Sequence, residues 1–110
     1  MAKVIESLAR TTNGNSGDIR AIGSESVRAQ LNVTAATGTS PTLNVLIEDT
    51  LDGINYNTIG TFAQKTAPGR EIINITVPFS ETLRASWSIA GTNPSFTFSL
   101  DWHVSTRRTN

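Results

Sequence analysis

A ten-residue pattern occurs twice in this chain. Gly38-Thr39-Ser40-Pro41-Thr42-Leu43-Asn44-Val45-Leu46-Ile47 returns as Gly91-Thr92-Asn93-Pro94-Ser95-Phe96-Thr97-Phe98-Ser99-Leu100. Each copy is a Gly-Thr-x-Pro unit leading into a segment with apolar residues at every second position. Glycine supplies positive φ, proline fixes its own φ, and the alternation that follows suits a half-buried antiparallel strand. An alternating segment also enters each unit: Leu31, Val33 and Ala35 before the first, and Leu83, Ala85, Trp87 and Ile89 before the second. The pattern predicts two similar β-hairpins, each turning at its Gly-Thr-x-Pro.

The remaining segments read the same way. Residues 4–10 form a strand without a clean apolar face, hence an edge strand or an arm. Residues 11–18 form a loop whose tight turn is expected at Asn13-Gly14, and 19–22 a short strand. Val27, Ala29, Leu31, Val33 and Ala35 alternate with Arg28, Gln30, Asn32 and Thr34, one face buried and one wet. Residues 42–49 bury Leu43, Val45 and Ile47. Leu51-Asp52-Gly53 turns the chain, and 54–62 returns it, burying Tyr56 and Phe62. After Ala67-Pro68-Gly69, Ile73, Ile75 and Val77 share a face, and the last strand carries Phe96, Phe98, Leu100, Trp102 and Val104. Seven to eight short strands in 110 residues predict one all-β domain, an antiparallel, jelly-roll-like sandwich. Its expected core is Leu31, Val33, Val45, Ile47, Phe62, Ile75, Trp87, Phe96 and Phe98. Residues 1–17 are a candidate N-terminal arm and 105–110 a polar tail.

Composition excludes more than it assigns. The absence of cysteine removes disulfides, thiolate catalysis and Cys-based metal sites. Nine basic and nine acidic side chains cancel, which argues against nucleic acid as a partner. The start, Met-Ala-Lys-Val-Ile-Glu, has no apolar signal region, and polar residues interrupt every apolar run, so a product made in the cytoplasm with no membrane span is expected. Ser, Thr and Asn make up about a third of the chain, a bias toward strands and turns.

Candidate chemistry is sparse. His103 is the single histidine, and a lone imidazole needs converging carboxylates to hold zinc; a place on the polar face of the last strand accounts for it. Glu48, Asp49, Asp52 and Asn55 gather at one hairpin end and could offer oxygen ligands to calcium, although Asp and Asn are also what turns select. Trp87 and Trp102 could be sugar-stacking platforms, but their place in the alternation assigns both to the core. No catalytic residue, cofactor or metal is expected, and an enzyme is the least supported reading.

Three stretches together resemble a family of small structural proteins of tailed bacteriophages. They are Gly38-Thr39-Ser40-Pro41-Thr42-Leu43, then Asp52-Gly53-x-x-Tyr56-x-x-Ile59-Gly60-Thr61-Phe62, and Arg84-Ala85-Ser86-Trp87-Ser88-Ile89 continuing through Gly91-Thr92-x-Pro94 to Ser99. The similarity spans residues 31–100, with Tyr56 where the family carries Trp. It implies a virion protein, a capsid decoration (cement) protein on the head surface. The expected partner is the major capsid protein and the expected assembly a homotrimer. The candidate contact residues are Lys3, Val4, Ile5 and Arg10 in the arm, with Arg107 and Arg108 in the tail. The alternative is a tail-associated or host-surface, carbohydrate-binding β-module, for which the Asp52-Gly53-x-x-aromatic hairpin gives a local precedent.

Overall fold

The computed structural model describes residues 2–20 and 24–106, which form strands joined by bends and irregular segments, with no helix among them. Seven strands follow in chain order: β1 (Ala2–Arg10), β2 (Gly14–Asn15), β3 (Ile19–Arg20), β4 (Ser24–Thr50), β5 (Tyr56–Thr61), β6 (Gly69–Ile75) and β7 (Thr82–Thr106). All pairings are antiparallel. The fold is the expected all-β, jelly-roll-like sandwich.

Its organising element is the ladder between the two longest strands. β4 and β7, of 27 and 25 residues, pair from Ser24↔Thr106 to Thr50↔Thr82. Such lengths far exceed the usual five or six residues of a strand, and the ladder is accordingly bent, with register shifts around Thr37, Thr39 and Thr42. The bend is where the two Gly-Thr-x-Pro units meet, Thr39 opposite Thr92. This corrects the hairpin expectation. The chain does not reverse at either unit; it passes through, and the two copies face each other across a local twofold relation.

The backbone shows why one motif is needed twice. Gly38 and Gly91 take φ of 113° and 124°, and Ser40 and Asn93 take 49° and 50°. Paired left-handed residues in each strand turn the ribbon over without breaking it. A side chain at Gly38 would place Cβ 2.7 Å from the Asn93 carbonyl oxygen, and one at Gly91 would place it 2.9 Å from Pro41 Cα. Only glycine permits that approach.

Below the bend, the first half of β4 is flanked by β6 and by the second half of β7, which carries β1 on its far side. Beyond it, the second half of β4 lies between β5 and the first half of β7, with β2 and β3 beyond. The two layers close on one core. Val27, Ala29, Leu31, Val33, Phe96, Phe98, Leu100 and Trp102 come from one layer; Leu43, Val45, Ile47, Leu83 and Ala85 come from the other, with Phe62 just after β5. Every second residue points inward, so burial follows directly from the alternation.

Two expected core residues sit elsewhere. Tyr56 opposes Thr50 on the outer side and is half-buried. Trp87 is half-buried at the rim, edge-on to Phe98 with centroids 5.6 Å apart. Segment 10–16 covers it. The Arg10 guanidinium lies 5.0 Å from the Trp87 ring and 4.9 Å from Phe98, and the indole N–H donates to the Thr12 carbonyl at 3.0 Å. The turn expected at Asn13-Gly14 falls later: Gly14–Asn15 pairs with Trp87 and Ser86, and the positive φ is at Gly17, whose N–H donates to Asn15 Oδ1 at 2.9 Å.

Candidate functional site

The candidate cation ligands do not converge, because each carboxylate has other work. Asp52 accepts the N–H groups of Ile54 and Asn55 and the Asn55 side-chain amide, each at 2.8 Å. These bonds favour the charged form and hold its carboxyl well below the usual range. The Gly53 N–H is taken by Thr50 Oγ1 at 2.8 Å, completing a loop held by its own side chains. Asp49 is buried and accepts the Ser80 N–H at 2.9 Å. Glu48 pairs with Arg84 at 2.8 Å on the outer side of its layer. The Arg84 guanidinium carbon in turn lies over Tyr56, 3.5 Å from the ring centroid, and the phenol donates to Asp18 at 2.7 Å. The Asp18 carboxylate stabilises the protonated phenol and pushes its pKa up. Among the described residues, no three His, Asp or Glu side chains come close enough to share a metal ion.

The expected N-terminal contact residues are folded into the domain. β1 pairs along β7 of its own chain, Lys3 opposite Asp101 and Ile5 opposite Leu100. Ile5 is buried in the core, Val4 packs against it, and Arg10 caps its aromatic end while donating to the Leu8 and Phe98 carbonyls at 3.2 Å. Burial pushes the Arg10 pKa down. The side chain of Lys3, and all of Arg107 and Arg108, lie outside the described residues.

A different group of side chains lies together on the outer face of the β6–β4–β7 layer. Because Val27, Ala29, Leu31 and Val33 point inward from β4, Arg28, Gln30 and Asn32 point outward. Phe98, Leu100 and Trp102 likewise turn Asp101 and His103 out, with Ser99 on the same side but buried, and Ile75 with Ile73 turns Asn74, Ile72 and Arg70 out. The register lines these up in three rows across the layer: Asn74–Arg28–His103, Ile72–Gln30–Asp101 and Arg70–Asn32–Ser99. Adjacent strands stand roughly 4.8 Å apart and same-face residues roughly 6.7 Å apart, so the rows make a flat grid about 10 Å by 13 Å. A shallow depression at its centre is lined by Arg28, Gln30, Ile72, Asp101 and His103. Arg28 Nη1 donates to Asn74 Oδ1 at 3.3 Å, and Ile72 remains 40% exposed among polar neighbours.

Chemically the grid is a set of planar groups with two polar atoms each (guanidinium, carboxamide, carboxylate, imidazole) around one exposed aliphatic side chain. Of these, the guanidinium, carboxamide and carboxylate can each meet vicinal hydroxyls bidentately, and the imidazole offers one nitrogen at a time. Sequence alternation placed Arg28, Gln30, Asn32 and His103 on wet faces, but nothing local reveals that β6 lies beside β4 and brings Ile72 and Asn74 to them.

No protein-family model matches the chain, and no curated protein is detectably similar. Among solved structures it is similar to one described as "CBM4 structure and function", at 16% identity over 94% of this chain and 93% of that one, with a TM-score of 0.49. It is also similar to chitosan-binding module 1 from the chitosanase/glucanase of Paenibacillus sp. IK-5, at 19% identity over 91% and 96%, with a TM-score of 0.44. The capsid-decoration expectation is corrected at this point: the similar structures are carbohydrate-binding modules, and neither is a capsid protein. The geometry explains how the motifs misled. The Gly-Thr-x-Pro units are the bend of the ladder, and the apolar positions beside them are core. They report how the sandwich is built.

Proposed function

We propose that this domain is a non-catalytic carbohydrate-binding β-module, and that it binds its glycan on the outer grid of the β6–β4–β7–β1 layer. One observation carries the reading: Arg28, Gln30, Asp101 and His103 surround a single depression with Ile72 exposed at its edge. A sugar ring has polar edges and apolar C–H faces. Planar bidentate side chains meet the first, and an exposed aliphatic surface meets the second. The site stands on central strands of a packed sandwich, so its side chains are positioned before the ligand arrives, which lowers the entropy cost of binding.

The test is affinity electrophoresis against a panel of soluble polysaccharides, followed by calorimetry on the one that retards migration. Retardation is expected, and Gln30→Ala and Ile72→Asp should each reduce it while leaving the unfolding midpoint nearly unchanged, since both side chains lie on the outer face. If the folded protein binds no polysaccharide, or binds one equally well with both substitutions, the assignment is wrong.

A further inference from the structure

A second depression lies at the end of the other layer, where β4 runs out at Thr50 opposite the start of β7 at Thr82. It is open, about 310 Å³ in volume, and lined by Asp49, Leu51, Pro78, Phe79 and Ser80. Asp49 follows Leu43, Val45 and Ile47 in the inward alternation of β4, so a carboxylate takes a core-facing position and is only 7% exposed. One of its oxygens accepts the Ser80 N–H at 2.9 Å, and no other described residue bonds to the carboxylate. A carboxylate has about four acceptor sites, and burying it costs free energy unless they are filled or a cation stands beside it. Exposed charges such as Arg20 and Glu81 are solvated by water; Asp49 is shielded from it by its burial.

We propose that this depression is a docking site for a lysine side chain of a partner protein, its ammonium group against Asp49 and its methylene stem along the apolar wall. The proposal does not depend on the carbohydrate-binding reading, and the site shares no residue with the depression on the grid. The polar content is too small for a sugar. Apart from Asp49 the lining is apolar except for Ser80, whose hydroxyl donates to the Thr50 carbonyl at 2.6 Å and accepts the Thr82 N–H at 3.3 Å. An ammonium has three donors and no acceptor, and its four-carbon stem covers apolar surface, which matches one carboxylate within an apolar wall. The charge agrees: residues 49–54 and 77–81 carry Asp49, Asp52 and Glu81 and no Lys, Arg or His. Arg20, opposite Thr82, is exposed and forms no ion pair with them. The rim suits a protein surface. Leu51 and Ile54 are 85% and 80% exposed on a loop that the Asp52 hydrogen bonds hold in place, and Val77, beside Pro78, is 49% exposed. Large aliphatic side chains exposed together around one depression mark an interaction surface.

The experiment titrates the isotope-labelled protein with the peptide acetyl-Leu-Lys-Leu-amide, with the same peptide acetylated on its lysine, and with glucosamine, reading backbone amide shifts by NMR. The lysine peptide should move the signals of Asp49, Leu51, Phe79 and Ser80, and the acetylated peptide should bind at least about tenfold more weakly because it has no charge to place beside the carboxylate. Asp49→Asn, which keeps an acceptor for the Ser80 N–H, should lose at least about tenfold toward the lysine peptide and nothing toward the acetylated one. Leu51→Ser should weaken the lysine peptide several-fold with an unchanged urea midpoint, since that side chain is almost wholly exposed; it tests the site even if Asp49→Asn fails to fold. Equal binding of the two peptides, or a lysine peptide indifferent to both substitutions, overturns the proposal. So does a protein in which no amide at this end moves. Tighter binding of glucosamine than of the lysine peptide replaces the occupant with an amino sugar. Self-association of the protein alone that Asp49→Asn abolishes, seen by sedimentation, replaces it with a second copy; either result refutes the partner-lysine reading.

Discussion

Substituting Gly38 with alanine tests the central claim about this fold, that the bend works because two glycines let two strands touch. At φ of 113° the residue lies where side-chain-bearing residues are rare, and strain of this kind costs about 1–3 kcal/mol. The new Cβ would also stand 2.7 Å from the Asn93 carbonyl oxygen and 2.9 Å from both Pro94 Cα and the Thr92 carbonyl oxygen. All three are backbone atoms, so relief requires the opposite strand to move, and the ladder is disturbed at Thr39↔Thr92. Together these predict a loss of about 3–4 kcal/mol, much of the 5–15 kcal/mol available to a small domain. Gly53→Ala is the control. Its φ of 78° is also left-handed, but nothing lies within 4 Å of the added methyl. That variant should lose only about 1 kcal/mol. Equilibrium unfolding in urea, followed by tryptophan fluorescence, separates the two through their midpoints; with a slope near 1.5 kcal/mol/M, Gly38→Ala should shift by about 2 M and Gly53→Ala by less than 1 M. The double variant Gly38→Ala/Gly91→Ala should cost less than the sum of its parts, because separating the strands once relieves both clashes. If Gly38→Ala is no worse than Gly53→Ala, the close-contact account of the bend is refuted.

Other expectations concern the core rim and the Asp52 loop. Phe98→Ala, at a position with no exposure, should cost about 3–5 kcal/mol, and Trp87→Ala should cost less despite the larger side chain, because part of the indole is already in water; the reverse order by urea unfolding would show that the rim, not the centre, dominates the core. Asp52 has a folded-state pKa below its unfolded one, so its contribution is fully present above the unfolded value, near pH 4, and is lost as pH falls through the folded value. The stability difference between the parent and Asp52→Ala should therefore be constant from about pH 5 upward and shrink only in stronger acid; a difference that varied between pH 5 and 8 would contradict the hydrogen-bond assignment.

The alternation of apolar and polar residues determined most of the core: Leu31, Val33, Val45, Ile47, Phe96 and Phe98 are buried because their positions in extended segments send them to one side. It also placed Arg28, Gln30, Asn32 and His103 on the opposite side, for the same reason. The repeated Gly-Thr-x-Pro units announced positive φ at Gly38 and Gly91, yet their use as a bend and not a turn depended on each finding the other, 53 positions away. A left-handed residue permits either outcome, and only the opposing strand selects between them. Trp87 and Tyr56 carry the local signature of core aromatics, but a rim position and a stacked arginine from another strand set their surroundings. The candidate site was the least legible part. Its residues come from β4, β6 and β7, and strand pairing between distant segments is decided by how the sandwich closes over its core. Local sequence fixes which face a side chain takes; only the tertiary register fixes which side chains become neighbours on that face.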